Sequence, residues 1–153
     1  LKSPLTPLFQ RGKFLRIVAL GGVAALFMTV QPAAAAVAAN VSLSSQTMTG
    51  TENGAVRYQW KVSTGRKGFV TPKGKWTAKW LSKNHRSRKY NNAPMPYAVF
   101  YNGGYAVHAT YETKRLGRPA SHGCIRLHPE NAAAFYALTH RYGLANTRIK
   151  VSH

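Results

Sequence analysis

Between residues 56 and 63 the chain alternates strictly: Val56, Tyr58, Trp60 and Val62 fall on one parity, and Arg57, Gln59, Lys61 and Ser63 on the other. A period of two is the signature of a strand with one buried face. Just ahead, Asn53-Gly54 is a dipeptide that closes tight hairpins, and the run from Val41 to Thr49 opens with apolar residues at alternate positions, so a strand leads into that turn. After the turn Thr71-Pro72-Lys73-Gly74, the residues Trp76, Ala78 and Trp80 alternate with Lys75, Thr77 and Lys79 and predict a third strand. Residues 82–96 are polar, basic and bounded by Pro94 and Pro96, which predicts a long loop of the kind that often covers a site.

Further on, Tyr97 to Tyr101 and Tyr105 to Thr110 flank Asn102-Gly103-Gly104, a second hairpin that carries His108 in its returning arm. A loop from Tyr111 to Gly123 leads to a short apolar strand around Cys124 to Leu127. The period then changes to helical. Pro129 and Glu130 suit a first turn, Phe135 and Leu138 share a stripe, and Gly143 is a stop signal, so a helix spans Pro129 to about Tyr142. Thr147 to Val151 reads as a closing strand. Short strands dominate, and the fold class is mainly β, a sandwich or barrel with one α-helix in its C-terminal half.

Before this domain, Lys2, Arg11, Lys13 and Arg16 precede the apolar run Ile17 to Val30, and QPAAAAVAAN follows with several A-x-A sites. That order predicts a cleaved signal peptide over 1–36 and one domain over 37–153, hence a periplasmic or wall-associated protein. The apolar run is short for a bilayer span, which needs about 20 residues. Charge sharpens the picture: 22 Lys plus Arg face three acids, for a formal net charge of +19. Such a surface attracts a polyanion. Export argues against nucleic acid and leaves a carboxylate-rich wall polymer or an envelope surface. The densest basic group, Lys83 to Lys89, reads as a solvated stretch. Oligomeric state has no signature here.

Cys124 is the chain's single cysteine, so an intramolecular disulfide is excluded. An inert thiol, a metal ligand and a nucleophile remain. Zinc would draw on His108, His122, Cys124 and His128, but structural zinc normally uses C-x-x-C or H-x-x-x-H spacing with more than one sulfur, and the chain has neither of those spacings and a single sulfur among these residues. For a nucleophile, Gly123 lets backbone approach a substrate, and the Gly123 and Cys124 amides can converge on one oxygen. A free thiol is only a few per cent thiolate at neutral pH and needs a base. His128, at the helix entrance, is read as a cap or packing residue. His108 and His122 stand near even as the base. The chain has no Asp, and its three Glu lie away from the thiol in sequence, so a backbone carbonyl is expected to orient the imidazole.

His108 followed by Ser121-His122-Gly123-Cys124 resembles the signature of the L,D-transpeptidase catalytic domain, of the YkuD or ErfK/YbiS type. Val62-Ser63-Thr64-Gly65, Thr71-Pro72-Lys73-Gly74, Asn92 to Tyr97, and Arg115 to Ala120 leading into SHGCIRL extend the resemblance over 37–153. It implies an enzyme that exchanges peptide bonds in peptidoglycan stem peptides. Cys124 matches the nucleophile, which attacks the carbonyl of the L-centre at stem position three and expels the terminal D-alanine. His108 matches the proton donor and acceptor, which decides between the two histidines. The acyl group would pass to a neighbouring stem as a 3→3 cross-link, to an envelope protein, or to water.

The resemblance further implies an oxyanion hole at the Gly123 and Cys124 amides and a histidine-orienting carbonyl at Ala109. Ser121, His122 and Arg126 match positions lining the site, with Arg126 suited to a stem carboxylate. No metal or organic cofactor is implied. Ala109 stands where many members carry glycine, and its methyl is expected to crowd that turn; Arg126 stands where many carry asparagine. Two other functions remain in view, a Cys/His wall peptidase and a basic wall-binding module with an incidental thiol.

Overall fold

A computed structural model describes residues 35–153, and the signal peptide expected over 1–36 lies outside the described residues except for Ala35 and Ala36. The described chain forms β1 (Val37–Ser42), β2 (Thr47–Glu52), β3 (Ala55–Lys61), β4 (Gly74–Thr77), β5 (Trp80–Ser87), β6 (Ala93–Asn102), β7 (Tyr105–Ala109), β8 (Ile125–Leu127), α1 (Pro129–Tyr142) and β9 (Thr147–Ser152). Two sheets result, one ordered β3-β2-β1-β9-β4 and the other β5-β6-β7-β8. Most neighbours are antiparallel, but β1 runs parallel to β9 and β7 parallel to β8.

Alternation explains how the sheets meet. In β9, Thr147, Ile149 and Val151 are buried while Arg148, Lys150 and Ser152 are exposed, and in β1 Val37, Ala39 and Val41 face the same way. Val99, Tyr101, Val107, Ile125 and Leu127 of the second sheet join them, with Met48, Phe135 and Leu138, in one apolar core. Each large side chain so buried contributes about 1.5–3 kcal/mol over exposure. The helix runs over the predicted span and packs on β6 and β7. Its end follows from Gly143, whose φ of +89° is available to glycine, and whose N–H donates to the Thr139 carbonyl at 2.9 Å.

Three readings of the pattern need correction. Trp76, Ala78 and Trp80 do not share a strand. Ala78 N–H bonds the Thr147 carbonyl in the first sheet (3.0 Å) and Lys79 N–H bonds the Phe100 carbonyl in the second (2.7 Å), so the chain changes sheets between them. Trp80 then stacks on Phe100 with ring centres 3.8 Å apart.

Residues 82–96 are not a loop but the body of the β5–β6 hairpin, paired from Trp80↔Phe100 to Ser87↔Ala93. Its polar side chains reach solvent while the backbone ladder supplies the order. Pro94 and Pro96 fit because β6 pairs with β7 only from Val99 onward, so its first half has a partner on one side alone.

The alternation of β3 is also broken, by a bulge that sets Gly50 opposite Tyr58 and Thr51 opposite Val56. Beyond it Val56 turns outward and is 67% exposed. The Asn53-Gly54 turn itself is as read, with both residues at positive φ.

Candidate active site

The parallel pair β7–β8 places His108 opposite Arg126, with Val107 opposite Ile125 and Ala109 opposite Leu127. The latter four face the core. The other parity therefore presents His108 and Arg126 outward together, with Cys124 two residues before Arg126 on the same side. Their side chains line one cavity of about 180 Å³, walled also by Tyr90, Met95, Glu112 and His122.

The turn that carries the thiol is held from outside the sheet. Residues 63–65 run beside it: Ser63 and Arg126 exchange backbone hydrogen bonds of 3.0 and 2.8 Å, and the Thr64 carbonyl accepts from Ala120 and Ser121 N–H at 2.9 Å each. Thr64 is fixed in turn by the buried Gln46 amide, which donates to its hydroxyl (2.6 Å) and accepts from its N–H (3.0 Å). Thr71 Oγ1 donates to the Gly123 carbonyl at 2.8 Å. Gly123 sits at φ +119°, and an added Cβ would lie 2.7 Å from the Tyr105 ring and 2.8 Å from the Val70 carbonyl. Both the backbone angle and the space demand glycine.

Ser121 closes this turn. Its hydroxyl donates to the Cys124 carbonyl (2.6 Å) and accepts from the Gly123 N–H (3.0 Å). The expectation that the Gly123 amide stands open as an oxyanion donor is thereby corrected, because a side chain from the same turn already occupies it.

His108 is buried, and its Nδ1 lies 2.7 Å from the Ala109 carbonyl oxygen. A carbonyl only accepts, so Nδ1 carries the proton and Nε2 keeps a lone pair. Burial is the main force on the imidazole and lowers its pKa to about 4, with the Ala109 bond opposing and Arg126 adding to the fall. Burial likewise raises the pKa of Cys124, against the opposing pull of the Ala106 amide and Arg126. Both groups are thus neutral at rest. The thiol makes a long contact, 3.8 Å, to the Gly104 carbonyl. The Ala109 side chain is fully buried in the core.

His122 stacks on Tyr90 from the tip of the β5–β6 hairpin (4.2 Å, 11°) and meets Phe69 edge-on at 4.7 Å. Burial, then Arg66, lowers its pKa. His128 lines a different cavity with Trp60 and Lys114, so the four candidate zinc ligands do not converge. Arg126 is already paired in the free protein: its Nη1 donates to Glu112 Oε2 at 2.9 Å. Glu112 lies away from the thiol in sequence, but the loop after β7 folds it back onto the cavity.

Sequence reasoning also missed Gln46, Tyr90 and Tyr101. The Tyr101 hydroxyl is buried without a hydrogen-bond partner among the described residues, and burial, then Cys124, raises its pKa. Only Glu112 had a usable signal, as a rare acid four residues after His108 in a basic chain.

With this geometry in hand, the comparisons with known proteins agree with one another. Residues 36–151 match the L,D-transpeptidase catalytic domain, and the chain belongs to that family. No curated relative matches it. The chain is similar to the solved L,D-transpeptidase from Mycobacterium smegmatis, with 26% identity and a TM-score of 0.67 over 77% of this chain and 59% of that one. An L,D-transpeptidase from Stackebrandtia nassauensis gives 27% identity and a TM-score of 0.68 over 85% and 62%. LdtMt1, solved in complex with imipenem, gives 26% and 0.68 over 76% and 59%. The chain thus spans about three-fifths of the length of these relatives, and the shared part is the two-sheet domain.

Proposed function

We propose that this domain is a cysteine-dependent acyltransferase acting on peptidoglycan stem peptides outside the cytoplasmic membrane. The observation that carries the reading is the imidazole of His108 on β7 and the thiol of Cys124 in the turn entering β8 facing one cavity, in a domain of the L,D-transpeptidase family. Because both groups are neutral at rest, attack is coupled to proton transfer. As the sulfur adds to the acyl carbon of stem residue three, its proton passes to His108 Nε2. The same imidazole then protonates the departing D-alanine amine, leaving a thioester.

The Cys124 amide stabilises the oxyanion; a lost donor costs roughly 3–4 kcal/mol in the barrier. A second stem's amine takes the acyl group in a 3→3 cross-link, with an envelope protein's amine as the other acceptor. No metal or organic cofactor enters this chemistry. The tetrapeptide donor brings free carboxylates, and Arg126 is the residue placed to receive one.

Incubation of residues 37–153 with a disaccharide-tetrapeptide tests the reading. The expected product is a joined dimer with release of D-alanine. Free tripeptide acids alone would instead assign the domain to the hydrolases. A carbapenem should add to Cys124 as a stoichiometric mass increase, as the imipenem complex of LdtMt1 suggests. His108→Ala should slow that addition about 10²-fold or more, and an unchanged rate would remove His108 from the mechanism.

A further inference from the structure

Glu112 is one of three acids in a chain with 22 basic residues, and it stands at the cavity that holds the thiol. Its Oε2 accepts from Arg126 Nη1 at 2.9 Å, while its Oε1 lies 3.9 Å from Arg115 Nε. Two guanidinium groups therefore share one carboxylate.

The partners differ in how firmly they are held. The Arg126 side chain is 17% exposed and its backbone is bonded to Ser63 beyond β8, whereas the Glu112 side chain is 52% exposed on a loop. The cation is fixed and the anion is peripheral. A guanidinium has five donors, and the contact with Glu112 is made through Nη1. A carboxylate arriving from solvent can offer both oxygens in a fork, the stronger geometry. It displaces a partly exposed ion pair, which is a weak one.

We propose that Glu112 is a resident substitute for a ligand's carboxylate: it keeps Arg126 extended along the cavity in the free protein and yields that guanidinium to an incoming carboxylate. Exposed Arg115, already beside Glu112, is placed to keep the released side chain. Glu112 is then a positioning and specificity residue. It favours ligands with a free carboxylate that reaches both arginine nitrogens and resists those that lack one. The inference rests on the preceding reading of Arg126 as a carboxylate receptor, but its test does not need the transfer reaction.

Cys124 can be alkylated by iodoacetamide, which is neutral, or by iodoacetate, which carries a carboxylate. In both, a sulfur–carbon bond forms, the carbon–iodine bond breaks, iodide leaves, and the thiol proton goes to solvent. The ratio of the two rate constants therefore reports carboxylate capture beside the thiol. Glu112→Gln should raise the iodoacetate-to-iodoacetamide ratio by about 5- to 10-fold, and Arg126→Gln should lower it below that of the unaltered protein. The Glu112→Gln, Arg126→Gln double variant should lose the gain.

A gain that persists without Arg126 would mean only that a negative charge has been removed, and would overturn the proposal. An unchanged ratio in Glu112→Gln, or a fall of both rates together, would overturn it too by making Glu112 a strut. Failure to form cross-linked stems would remove the transferase reading and leave this ratio untouched.

Discussion

Each sheet ends in a hairpin, and the two hairpins are built to different ends. The β2–β3 hairpin closes on Asn53-Gly54 and buries Met48 fully against the common core. The β5–β6 hairpin closes through Asn91 and Asn92, both at positive φ, and presents polar side chains on β5, with Tyr90 at its tip stacked on His122. The first hairpin is held by what it buries. The second also buries Met95, Val99, Phe100 and Tyr101 along β6, while its polar strand β5, stacked at its base through Trp80 on Phe100, and its tip border the thiol cavity. The first hairpin thus serves the core alone, and the second serves both the core and the wall of the cavity.

This division can be broken by three measurements. The largest effect is expected from Met48→Ala, which should cost about 2–5 kcal/mol in chemical denaturation while leaving the Cys124 alkylation rate of the folded protein within about twofold. A parallel loss of thiol reactivity would show that the two hairpins are not separable.

The next concerns pH, because His108 is the buried histidine among the described residues. Burial depresses its folded value to about 4, whereas an unfolded histidine titrates near ~6.5. Protons in that window prefer the unfolded chain. Stability from this group is therefore complete above pH ~6.5 and declines by roughly 3 kcal/mol as the pH falls to about 4. Unfolding curves across the window should show the decline, and His108→Gln should flatten it; an equal slope in the variant would place its origin elsewhere. The smallest change in stability, under about 0.5 kcal/mol, is expected from Tyr90→Ala. The same change should speed iodoacetamide alkylation several-fold by opening the cavity. A large drop in stability with no change in rate would reverse the roles assigned to the two hairpins.

The same contrast explains what could be read from the chain. Alternation reports burial of one face, so β9, the helix stripe of Phe135 and Leu138, and the Asn-Gly turn were legible. It does not report a backbone ladder, so a strand made of polar residues, such as Lys83 to Ser87, reads as a loop. Cys124 and His108 drew attention as a lone thiol and a hairpin histidine. Their placement on one face follows from the parallel register of β7 and β8, which no local pattern encodes. Glu112 and Gln46 escaped for a related reason. Each acts through a partner distant in sequence, Arg126 in one case and Thr64 in the other, and a polar residue in a turn ordinarily does nothing of the kind.

One pairing sets the order in which the domain can be completed. β1 lies between β2 and β9, and its parallel partner β9 is the last strand of the described chain. Until that final segment arrives, β1 and β4 both lack the neighbour that joins them, and the larger sheet exists only as disconnected pieces. A contact spanning nearly the entire domain also closes late and slowly. For a chain that emerges N-terminus first, the architecture itself postpones closure of the larger sheet until Thr147–Ser152 have emerged.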